Sequence, residues 1–130
     1  MDRRQQIEYW LASARHDLLT ADLLFQNHHN DWCLYLGHLV LEKTIKAHFV
    51  RAKGSVPPKS HNLLALARDA GIQLTDQQAL LLQEAGDFNI EARYPDEKLS
   101  FYRVCTDEFT REKFGRIREL HQWLTSLSGS

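Results

Sequence analysis

The sequence predicts an all-α domain, an up-and-down antiparallel four-helix bundle with one extra short helix. Three observations carry this. There are 20 Leu against 9 Ile plus Val, and Leu favours helices whereas β-branched residues favour strands. Apolar residues recur at helical spacing through most of the chain, and no stretch alternates as a half-buried strand would. At 130 residues the chain has room for one core, so a single domain over 1–130 is expected.

The first helix carries Ile7, Leu11, Ala14, Leu18, Ala21 and Phe25, which step by 4, 3, 4, 3 and 4 along one face. Asp2 is its cap, with Gln5 three residues later. The polar run Asn27-His28-His29-Asn30-Asp31 ends that stripe. A second helix starts at Asn30 or Asp31 and runs to about Lys53, with Leu34, His38, Leu41, Ile45 and His48 along its seam. Gly54 and the pair Pro57-Pro58 stop it. Ser60 caps a short third helix over about 61–70, closed by Gly71. Thr75 and Gln78 read as a capping box opening a fourth helix. That helix carries Leu80, Leu81, Leu82 and Phe88 and ends before Pro95. The segments 54–59 and 95–105 read as the main loops. Thr106, followed by Asp107 and Glu108, opens the last helix. Its seam is Phe114, Ile117, Leu120, Leu124 and Leu127.

Composition narrows the function classes. Apolar residues make up 43% and charged residues 25%, with a formal net charge of −1. Global charge therefore implies neither a nucleic-acid nor a membrane partner. No apolar run approaches the roughly 18 residues of a membrane span, and MDRRQQIEYW lacks the apolar core of a signal peptide. No membrane partner is expected, and a cytoplasmic location is. Two cysteines, Cys33 and Cys105, exclude a disulfide scaffold and a four-thiolate zinc site. Charge is uneven: residues 43–68 hold Lys43, Lys46, Arg51, Lys53, Lys59 and Arg68 and no acid, so that stretch is +6 and the remainder −7. A basic end of the second helix could meet phosphate.

Seven histidines invite a metal check. His38 and His48 are ten apart, no histidine pair stands at i, i+4 in that helix, and His28-His29 has no carboxylate pair at ligand spacing. No metal site and no cofactor are expected. Gly-rich phosphate loops and nucleophile elbows are absent. Polar residues do occupy a seam: His38, Glu42 and Lys46 follow at i, i+4 and i+8 on the second helix. They read either as a network fixing helix register or as a polar pocket on one side of the bundle.

Three separated motifs resemble the HEPN domain family. The run Gly37-His38-Leu39-Val40-Leu41-Glu42-Lys43-Thr44-Ile45-Lys46-Ala47 is similar to its central helix. Ser60-His61-Asn62-Leu63 is similar to its short helix start after a proline-containing loop. Phe88-Asn89-Ile90-Glu91-Ala92-Arg93-Tyr94-Pro95-Asp96 is similar to its most recognisable signature. Trp10, Ala14 and Asp17 fit its first helix. The resemblance implies a compact helical bundle with a nucleotide-binding role. It also implies a separate minimal nucleotidyltransferase as partner, in a pair resembling a toxin–antitoxin module. Other members are dimeric, metal-independent ribonucleases that use an Arg and a His four to six residues apart.

The family-matched polar residues are the candidate ligand site for a nucleotide or RNA. Lys46 could pair with phosphate, and Arg93 offers a bidentate fork. His61 and Asn62 stand at a helix start, Asn89 could read a base edge, and Tyr94 could stack on a base. The same Asn89, Arg93 and Tyr94 could instead lock the loop after the fourth helix onto Glu42. Arg116 and His121 have the ribonuclease spacing, but five steps of a regular helix put them roughly 140° apart. Three tryptophans, Trp10, Trp32 and Trp123, are much apolar surface for so small a bundle, and a homodimer is expected.

Overall fold

The structure is a computed structural model, and it describes residues 1–127. Among those residues all regular structure is helical: α1 (Arg3–Gln26), α2 (Asn30–Lys53), α3 (Leu63–Asp69), α4 (Asp76–Gly86), α5 (Pro95–Val104) and α6 (Asp107–Leu127), with a 3₁₀ turn at Ile90–Ala92.

Local signals place most of the ends. The Asp2 side chain accepts from the Gln5 N–H while Gln5 reaches back to the Asp2 N–H, which closes the capping box of α1. Thr75 and Gln78 do the same for α4. Gly54 ends α2 at φ +67°, a conformation that suits glycine. The start of α3 differs from expectation. Its cap is Asn62, whose side chain accepts from the Ala65 N–H, and Ser60 Oγ instead accepts from the Asn62 N–H. Asn is as good a cap as Ser, so the two adjacent candidates compete.

A larger correction concerns 95–105. This stretch is the helix α5, not a loop, and α4 stops at Gly86 well before Pro95. Proline can stop a helix, but it is equally favoured in the first turn of one, where its missing N–H costs nothing. Asp96 and Glu97 follow it and complement the N-terminal dipole. Phe88, assigned by its spacing to the fourth helix, lies beyond it. Its ring packs 5.6 Å from Phe101 of α5 and 6.3 Å from Phe109 of α6.

The central element is α2, which packs against α1, α3, α4 and α6. Fourteen of its 24 residues are buried, including the expected seam of Leu34, His38, Leu41, Ile45 and His48. Paired residues give the running directions. Lys43 meets Asp17, and Arg3 donates to the carbonyls of Val50 and Arg51, so α1 and α2 run antiparallel. On α6, Phe114, Ile117, Leu120 and Leu124 are buried as their spacing requires, whereas Leu127 stays 38% exposed. His28, at φ +62° in the turn between α1 and α2, approaches Asp107 at 3.2 Å. Asn30 donates to the same carboxylate at 2.8 Å and to the Cys105 carbonyl at 3.0 Å, which ties that turn to the start of α6.

Candidate functional site

The seam polar residues of α2 become a single buried network. Helical spacing puts His38, Glu42 and Lys46 one turn apart on the same side. Lys46 Nζ donates to Glu42 Oε2 at 3.1 Å. From the segment before α3, His61 Nδ1 reaches Glu42 Oε1 at 2.7 Å. His38 Nε2 lies 3.4 Å from that same Oε1, without hydrogen-bond geometry. His38 Nδ1 faces the Ala85 carbonyl of α4 at 3.0 Å. His38, Glu42 and Lys46 are all buried, while His61 is exposed on its outer side.

Electrostatics favour the ionised carboxylate. Burial alone would raise the Glu42 carboxyl. The hydrogen bond from His61 and the Lys46 ammonium act against that and draw the carboxyl below its ordinary range. Glu42 is therefore a buried anion on α2, beneath the exposed His61. Lys46 is correspondingly occupied: its ammonium also stands 5.4 Å from the centre of the Trp10 ring. The expectation that Lys46 presents a free charge to phosphate is not what the geometry provides. Lys43 is also spent internally, bonding Asp17 at 2.6 Å and Ser13 at 2.8 Å.

The remaining candidates are divided. Arg93 donates Nε to the Asp87 carbonyl at 2.9 Å, with Nη2 on the same oxygen. Its guanidinium covers the Phe101 ring at 4.8 Å. It closes the turn after α4 onto α5, not onto Glu42. Asn89 has a buried Oδ1 without a hydrogen-bond partner, and Tyr94 is exposed. Asn62 is used as the α3 cap, which takes one of the amides an anion would need. An open groove between α3 and α4 is lined by His61, Asn62, Arg68, Gln83 and Asp87. Arg116 and His121 do not converge: Arg116 is exposed beside Glu112 at 3.6 Å, whereas His121 is buried with Nε2 unpartnered.

The sequence offers no set of metal ligands at helical spacing, yet among the described residues the fold assembles one candidate set. His38, Glu42 and His61 bring one ligand atom each to within 4.8 Å of one another. No two histidines of α2 stand one turn apart. The fold supplies the second imidazole, His61, from 19 residues beyond Glu42, where spacing within one helix is uninformative.

Fold and site together define an all-α domain built round a central helix with a buried His–Glu–Lys network. The chain belongs to the HEPN domain family, which matches residues 7–127. The crystal structure of TT1696 from Thermus thermophilus has a similar fold, with a TM-score of 0.78 at 20% identity over 97% of this chain and 98% of that one. Comparison with curated proteins gives no significant match. No helix among the described residues is long and apolar enough to cross a membrane.

Proposed function

We propose that this chain is a HEPN-type binding and partner module. It holds a nucleotide or nucleic-acid phosphate and works beside a separate minimal nucleotidyltransferase, as a toxin–antitoxin-like pair. Helices α1, α2, α4 and α6 form its up-and-down bundle. A second copy covers exposed apolar residues such as Leu19 and Leu23 of α1 and Leu99 and Tyr102 of α5.

The observation that carries the reading is the groove between α3 and α4. His61, Asn62 and Arg68 stand together there, and two of the three come from a family-matched motif. Lys46 and Arg93 support this site from behind by holding Glu42 and the turn after α4. Arg68 is the cation left facing the groove, and a guanidinium suits phosphate oxygens.

Calorimetry with ATP and with a short RNA tests the binding. Affinity should fall as salt rises, and Arg68→Ala should weaken it roughly tenfold. Undiminished binding by Arg68→Ala removes the groove from the reading. Co-expression with a minimal nucleotidyltransferase tests the partnership: a complex that survives gel filtration is expected, and separate elution of the two chains counts against it.

A further inference from the structure

His61, which lines the groove, also meets His38 and Glu42 of α2 in a cluster of three possible metal ligands. The Ala85 carbonyl can only accept, so the His38 nitrogen facing it at 3.0 Å, Nδ1, carries the ring proton. In the neutral ring, Nε2 then presents a bare lone pair. That lone pair is fully buried and faces Glu42 Oε1 at 3.4 Å. Two acceptors opposed at a buried position are unfavourable, and a cation between them would relieve the opposition. His61 Nδ1 converges on the same oxygen from the solvent side.

We propose that His38 Nε2, Glu42 Oε1 and His61 Nδ1 form a binding site for a divalent transition metal of the zinc class, with a fourth position open to water. The site shares His61 with the phosphate groove but rests on the His38–Glu42–His61 geometry, so Arg68→Ala, which tests the groove, should leave zinc binding unchanged. Bond lengths of about 2.0–2.1 Å in a tetrahedron place ligand atoms about 3.3 Å apart. The His38–Glu42 separation of 3.4 Å already matches. The His61–Glu42 separation of 2.7 Å has to open by roughly 0.6 Å to reach that spacing, and His61 has to swing towards His38, since the three ligand atoms now lie within 4.8 Å of one another. His61 lies outside any helix and is exposed, so it is free to make that adjustment. An Nδ1–H held by a backbone carbonyl is the outer-shell arrangement that fixes a metal-binding imidazole. Lys46 sits on the other oxygen, Oε2, at 3.1 Å. It leaves Oε1 available and orients the carboxylate for one-oxygen ligation. Two imidazoles and one carboxylate favour zinc and its neighbours over magnesium or calcium, which prefer all-oxygen shells.

The test uses the full chain, stripped with chelator and titrated with zinc by calorimetry and by competition with a chromophoric chelator. One ion per chain is expected. Loss of one of three ligands in His61→Ala should weaken that site about 100-fold or more, and the exposed position of His61 leaves the fold intact. Glu42→Gln should weaken it similarly, with circular dichroism confirming its helices. A paired His28→Ala, His29→Ala variant should bind as wild type does. Cobalt(II) should give the visible bands of four-coordinate geometry in wild type and lose them in His61→Ala. Absence of stoichiometric binding at micromolar zinc overturns the proposal, as does a His61→Ala chain that binds as tightly as wild type.

Discussion

Gly37 on α2 lies directly against Ile117 on α6: a Cβ at Gly37 would sit 2.9 Å from the Ile117 Cδ1 methyl. The glycine is therefore a packing requirement of the α2–α6 contact. Ile117 is fully buried, so its methyl has little room to retreat. Overpacking of this kind costs about 1–3 kcal/mol, against about 1 kcal/mol gained in helix propensity from Gly to Ala. Gly37→Ala should destabilise by roughly 1 kcal/mol on balance. Ile117→Val removes the clashing methyl, so adding it to Gly37→Ala should cost less than the sum of the two single changes. Urea denaturation of the four-member cycle measures this. Strict additivity would mean that the two residues are not in this contact.

Cys33 and Cys105 are both buried and free. Burial pushes each thiol up to about 12, aided by nearby Asp22 for Cys33 and Asp31 for Cys105. The thiolate is the reacting form, so both should resist alkylation in the native chain at pH 8. Mass spectrometry after iodoacetamide treatment should find no modification until denaturant is added, then two. Fast labelling of either cysteine in the native state would contradict the packing around it.

How much of this was legible in the sequence depends on whether the signal was local. The capping boxes at Asp2 and Thr75, the stop at Gly54 and the seam of α2 are short-range features, and each stands where its residues indicate. Pro95 was legible as a boundary but ambiguous in sign, since the same residue ends one helix and starts another. The site was half legible. His38, Glu42 and Lys46 share a helix, so spacing alone groups them. His61 joins them only because the loop before α3 folds back onto α2. Arg93 finds a backbone carbonyl at Asp87, and a carbonyl is a partner that every residue offers, so no pattern marks it.

Two buried histidines give the fold a pH dependence above the carboxylate range. Burial holds His48 below its ordinary 6.5, with Arg51 adding to the effect and the Leu124 carbonyl opposing it. Burial and Arg15 lower His121. Between the folded and unfolded values the unfolded chain binds more protons, so stability rises with pH. It is complete above about 6.5 and is lost as pH falls from there towards the folded values. Each histidine contributes at most about 1.4 kcal/mol per pH unit within that window. Denaturation at pH 7.5 and pH 5.5 should give lower stability at 5.5, with a smaller difference in His121→Gln. Equal stability at both pH values would show that neither imidazole is held neutral by the fold.

Arg116 and His121 bear on whether the chain cleaves RNA. A metal-independent ribonuclease needs a histidine as acid or base and an arginine on the developing phosphorane charge, both within reach of one phosphate. Here Arg116 points to a groove shared with Thr75, Gln78 and Glu119, and His121 is not among its lining residues. His121 is buried on another side of α6, where five steps of about 100° along the helix place it. The double variant Arg116→Ala, His121→Gln should therefore leave any RNA cleavage or growth inhibition by the chain unchanged. Gln retains a polar side chain at the buried position, and circular dichroism checks the fold. Were the two residues a catalytic pair, their loss would lower cleavage by about 10²–10⁴ from the acid–base contribution alone. A fall of that size, measured on a labelled RNA with the variant still folded, would replace the binding-module reading with the ribonuclease.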